Sequence, residues 1–180
     1  MIMKDSKDME EKRTIEQVAI AAVCSRITRI LPAQIKACIE ELDEAQLWWR
    51  PNESSNSVGN LVLHLSGSMR HYVVRGLGGI DYERNRPAEF SERGPLSKQE
   101  LIAQFEETVG QVSEVIGSLD TARLLDPTDE SSYNPTVFDL LFNVAVHVAT
   151  HTGQIVFITK LLKDGSVDEL WIRTHKAMNK

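Results

Sequence analysis

The stretch Val137-Phe-Asp-Leu140-Leu-Phe-Asn-Val144-Ala-Val-His147-Val-Ala-Thr-His151-Thr-Gly-Gln154-Ile-Val-Phe-Ile158-Thr-Lys-Leu-Leu162 decides the fold. Its apolar residues recur at helical spacing. Leu140, Val144, Val148, Ile155 and Ile158 form one stripe when each residue advances the chain by about 100°. On the same wheel His147 and His151 fall about 20° to either side of Leu140, at the centre of that stripe. Two imidazoles four residues apart on a core-facing helix are neighbours in space. A buried imidazole needs a partner. Two on adjacent turns can share one, a metal ion, or each can bond a carbonyl or a water.

The rest of the chain bounds what such a helix can belong to. A length of 180 residues suits one domain. With 42% hydrophobic and 26% charged residues it can build a core and carry a polar surface. A net charge of −6 argues against a nucleic-acid partner held through phosphates. No uninterrupted apolar run approaches the roughly 18 residues of a membrane span, so no membrane partner is expected. Residues 1–9 are charged and lack the apolar core of a signal peptide, so they read as a flexible tail on a cytoplasmic protein. Cys24 and Cys38 share one predicted helix about 21 Å apart, too far to pair, and read as reduced thiols.

Three further amphipathic segments accompany the 137–162 helix. The first runs from about residue 10 to 43, with Pro32 expected to kink or break it by removing a donor and crowding the carbonyl at Thr28. Trp48 and Trp49 follow in a turn-rich connection and read as a plug for the bundle end, or as a pocket wall. Ser57 caps a second helix over 58–77, which carries His64 and His71 beside its apolar stripe. These two lie about 10.5 Å apart along the axis, so one metal can scarcely take both. Residues 76–95 form a long connection, expected to be irregular because of its two prolines, with Arg84, Arg86 and Glu89 among its charges. Ser97 and Glu100 form a capping box for a third helix reaching about 119, and Thr136 and Asp139 do the same for the fourth. A short helix is expected between Asp168 and His175. The sum is an all-α chain, a four-helix bundle with a long crossover between helices 2 and 3 and a short C-terminal helix, in a single domain over 1–180.

The segments Val58-Gly-Asn-Leu-Val-Leu-His64-Leu-Ser-Gly and His147-Val-Ala-Thr-His151-Thr-Gly-Gln-Ile-Val together resemble the motifs of the DinB-like (YfiT-like) metal-binding superfamily. The crossover Gly76-Leu-Gly-Gly-Ile-Asp81-Tyr-Glu-Arg84-Asn-Arg86-Pro-Ala-Glu89-Phe90 resembles that of an uncharacterised branch. The resemblance runs from about Leu47 to Leu162. It implies a four-helix bundle, a divalent metal (zinc or nickel) held by His64, His147 and His151, and a homodimer. It also implies relatives that act as S-transferases on small-molecule substrates, using a low-molecular-weight thiol as cofactor.

Three ligands leave a coordination position open, as in catalytic rather than structural sites. On that basis Arg86, with Arg84, is expected to bind a carboxylate of the thiol. Asn60 and Gln154 are expected to orient ligands. The alternatives are a metal-dependent hydrolase, with Glu89 as the candidate general base, and a non-enzymatic, stress-related metal-binding dimer. No catalytic side chain is assigned by the sequence.

Overall fold

The computed structural model describes residues 13–94, 96–129, 134–165, 167 and 169–178, so the expected tail at 1–9 lies outside the described residues. The described chain is all-α. Helix α1 (Ile15–Glu41) opens on a capping box, in which Thr14 Oγ1 accepts from Gln17 N and Gln17 Oε1 accepts from Thr14 N. Pro32 does not break it. A π-type turn over Arg26–Ile30, closed by the Leu31 N–H donating to Arg26 O, absorbs the missing donor one turn before the proline.

A single turn, α2 (Glu44–Leu47), leads to Trp48. Helix α3 (Val58–Met69) starts at Ser57 and continues through a second π-type turn at Arg70–Arg75. The crossover is not wholly irregular. It holds a short helix, α4 (Arg86–Ser91), with Pro87 in its first turn, where its fixed φ suits a helix start and no backbone donor is needed. Helices α5 (Lys98–Gly117) and α6 (Val137–Leu162) begin at the expected capping boxes, and α6 ends at Lys163 before Gly165, whose φ is 75°. Helix α7 (Leu170–Met178) is the short C-terminal element.

Helices α1, α3, α5 and α6 form the bundle. Helix α6 packs on α1 and α3, α5 lies against α3, and α4 rests on the outside of α3. Ile35 and Ile39 of α1, Leu61 and Leu65 of α3, Phe105 of α5 and Leu141 of α6 meet in the core. Trp48 plugs one end, its Nε1 donating to Leu96 O at 3.2 Å and its ring lying flat over Gly59. Trp49 is 38% exposed and lines a surface groove with Phe157 and Gln154.

Both cysteines are free, and burial pushes the Cys38 thiol up to about 11. Measured over windows rather than uninterrupted runs, α1 and α6 are long and apolar enough to cross a membrane, with mean hydropathy 1.4 and 1.3. Core helices of bundles share that property, and the windows tolerate the polar residues that interrupt the apolar runs.

Candidate metal centre

Helix packing brings together side chains that are distant in sequence. His64 sits midway along α3, where the face toward α6 is buried, and is 7% exposed. His147 and His151 occupy successive turns of α6 and are half-buried. One ligand nitrogen from each of the three lies within 4.8 Å of the others. His64 Nε2 and His147 Nε2 are 3.0 Å apart, and the His151 ring stands edge-on to both, with centroids 5.1 Å from His64 and 4.6 Å from His147. Nitrogens about 2.0–2.1 Å from a tetrahedral zinc stand about 3.3 Å from each other. The His64–His147 pair is close to that spacing, and the three ligand nitrogens together span no more than 4.8 Å.

The outer nitrogens provide a second test of fit. An imidazole that ligates through Nε2 carries its proton on Nδ1, and that proton needs an acceptor. Each Nδ1 here has one. His64 Nδ1 meets Glu89 Oε2 at 2.9 Å, His147 Nδ1 meets Ser68 Oγ at 3.2 Å, and His151 Nδ1 meets Gln154 Oε1 at 2.6 Å. Arg84 Nη2 also approaches His64 Nδ1, at 3.2 Å. The ionised Glu89 can only accept and is nearer, so the Nδ1 proton belongs to the His64–Glu89 bond. His64 Nε2 and His147 Nε2 thereby face each other, with the His151 ring beside them, an arrangement that a shared cation would complete. The donor set fits a divalent metal. Burial holds His64 and His147 below the usual imidazole range, His147 down to about 4 with help from its two neighbouring rings, while Glu89 opposes the shift at His64. Both are therefore neutral near pH 7, the form that binds metals.

The other sequence-selected residues divide by position. Glu89 is buried, with Arg84 Nε donating to its Oε1 at 2.7 Å and Arg84 Nη2 to its Oε2 at 2.8 Å. Arg86 has no ion-pair partner among the described residues; its guanidinium lies 5.2 Å over the Phe90 ring, at a cavity of about 330 Å³. His64, His147 and Arg84 also line that cavity, with Tyr72, Asn134, Leu140, Asn143 and Val144 around them. Gln154 supports His151 as expected of a ligand-orienting residue. Asn60 donates from Nδ2 to the carbonyls of Glu89 and Glu92, both at 3.1 Å, and so ties α4 to α3. His71 lies outside the cluster, its ring edge-on to Tyr72 at 4.9 Å.

Sequence reasoning gave Ser68 no role, although it lies one turn beyond His64 on the same face and so was within reach of the wheel. Tyr72, Asn134 and Asn143 carried no such signal, because only the fold gathers them.

No curated protein matches the chain. A family profile does match it, over residues 11–176, and that family lies within the DinB-like superfamily. On that match the chain belongs to the family described as "Protein of unknown function (DUF1572)".

Proposed function

We propose that the protein is a metal-dependent thiol S-transferase whose divalent ion, zinc or nickel, is held by His64, His147 and His151. The observation that carries the reading is the arrangement of the three rings. Their Nδ1 atoms are held by Glu89, Ser68 and Gln154, one ligand nitrogen of each lies within 4.8 Å of the others, and the cluster borders a cavity of about 330 Å³. Bound there, such an ion would lower the pKa of a thiol and hold it as the thiolate nucleophile.

The chain's own residues would do the rest. Leu140 and Val144 line the cavity and limit water beside the rings. Arg86, unpaired among the described residues, would bind the carboxylate of the thiol, because Arg84 is already committed to Glu89. That commitment also weighs against the hydrolase alternative. Both oxygens of Glu89 are engaged, and none of the residues lining the cavity is a carboxylate.

The same reading makes the protein a cytoplasmic homodimer. The dimer is supported by the exposed row Phe142, Val146, Phe157 and Leu161 on the outer face of α6.

The test is elemental analysis of protein purified without a histidine tag, as wild type and as His151→Ala, followed by thiol-consumption assays with test electrophiles. Stoichiometric metal in wild type, lost in the variant, and metal-dependent consumption of a low-molecular-weight thiol are expected. Trace metal in both proteins refutes the metal centre. Full metal with no thiol consumed refutes the transferase.

A further inference from the structure

Helix α3 carries a glycine, Gly67, in its interior, where alanine would favour the helix. The surroundings explain it. A Cβ at this position would lie 2.8 Å from Glu89 Cδ, in collision with Glu89 Oε1, and 3.4 Å from Arg84 Nε. The bare helix surface is what lets the crossover press a carboxylate into the bundle beside His64. That carboxylate is 7% exposed, a burial an ionised group tolerates only when paired and hydrogen-bonded. Arg84 grips it with Nε and Nη2, His64 Nδ1 bonds its Oε2, and Asn60 fastens its backbone through the Glu89 carbonyl and that of Glu92 one turn on. Phe90, the next residue, lays its ring 4.8 Å from the His64 ring.

We propose that Glu89, seated on Gly67 and clamped by Arg84, is the positioning residue of His64, and that it links docking of the crossover to metal binding. The inference rests on the three-histidine cluster being a metal site. Glu89 holds the Nδ1 proton and the ring plane, so Nε2 presents its lone pair to His147 and His151. Metal binding and crossover docking select the same ring state. Each therefore strengthens the other by the same factor. Loss of such a carboxylate partner lowers metal affinity by about 10- to 100-fold in general.

A buried ion pair that served only as a staple would change stability and leave the cluster alone. The experiment separates the two roles. Metal-free full-length protein is titrated with Co²⁺, reading both affinity and the visible ligand-field bands, for wild type, Glu89→Gln and Gly59→Ala. The last variant disturbs α3 at Trp48, away from the cluster. A loss of about 10- to 100-fold with altered bands in Glu89→Gln alone is expected. In wild type, Co²⁺ should also slow amide hydrogen exchange across residues 84–92, a measurement that holds even where the variant does not fold. Wild-type affinity and bands in Glu89→Gln, or exchange across 84–92 indifferent to Co²⁺, overturn the proposal while the metal site stands. No Co²⁺ uptake by wild type overturns both.

Discussion

Gly67→Ala and Gly110→Ala are the same chemical change in two helix interiors, and the structure gives them opposite signs. A Cβ on Gly110 of α5 meets nothing within 4 Å. That variant should gain the ordinary helix-propensity advantage, about 1 kcal/mol. A Cβ on Gly67 of α3 meets Glu89 Cδ at 2.8 Å. The carboxylate cannot simply swing aside, because Arg84 holds it at 2.7 and 2.8 Å and His64 at 2.9 Å. Either α4 lifts from α3 or the carboxylate leaves its partners. Overpacking of this kind costs about 1–3 kcal/mol, and each charge-assisted hydrogen bond lost adds about 1.5–3 kcal/mol. Partial relaxation and the propensity gain offset part of that, leaving Gly67→Ala less stable by about 2–3 kcal/mol. For a chain of this size the midpoint moves about 2–4 °C per kcal/mol, so thermal melts should show a fall of about 5–10 °C for Gly67→Ala and a small rise for Gly110→Ala. Circular dichroism melts of the metal-free proteins are sufficient. A Gly67→Ala midpoint that rises alongside Gly110→Ala would refute the packing argument, because the crossover carboxylate would then not be seated on α3.

Two further outcomes follow from the same geometry. Gly59→Ala places a Cβ 2.7 Å from Trp48 Cζ3, against a rigid indole, so it should destabilise by about 1–3 kcal/mol and red-shift tryptophan emission; an unchanged emission maximum would mean that Trp48 does not plug this end. The metal-free protein should lose stability as pH falls from about 6.5 toward about 4, because His147 is depressed when folded and the unfolded chain takes up its proton first; His147→Gln should flatten that slope in thermal melts, and an unchanged slope would assign it to other groups.

The bundle was legible because its signals are local. Capping boxes at Ser97 and Thr136 and the stripe around Leu140 depend on residues within a few turns of one another. The His147–His151 pair was legible for the same reason, whereas the second helix offered both His64 and His71, and the motif resemblance singled out His64. Of the kink or break expected at Pro32, the break does not occur; the irregularity takes the form of a π-type turn just before the proline, and nothing in the local pattern encodes that choice. The crossover was read least well. Its short helix depends on Asn60 binding two carbonyls some 30 residues away, and Glu89 gains its surroundings from Gly67 and Arg84 together. The charge pattern named Arg84, Arg86 and Glu89 without showing which would face inward.

That division of labour is itself testable. Arg84 precedes α4 and Arg86 opens it, two residues further along the chain. Both line the cavity, but Arg84 is bound to Glu89 beside His64, whereas Arg86 stacks on Phe90. Substitutions should therefore separate metal affinity from ligand affinity. Arg84→Met frees the Glu89 carboxylate from its clamp and should weaken Co²⁺ binding. Arg86→Met should leave Co²⁺ binding unchanged but weaken mercaptoacetate binding to the Co²⁺-loaded protein by about 5-fold, the scale of one exposed ion pair of about 1 kcal/mol. Added salt should shrink that difference, because the Arg86 side of the cavity faces solvent. Calorimetric titration of the two variants reads both affinities. If Arg86→Met lowers Co²⁺ affinity as much as Arg84→Met, the two arginines serve one structural purpose, and the cavity has no dedicated cation for an anionic ligand.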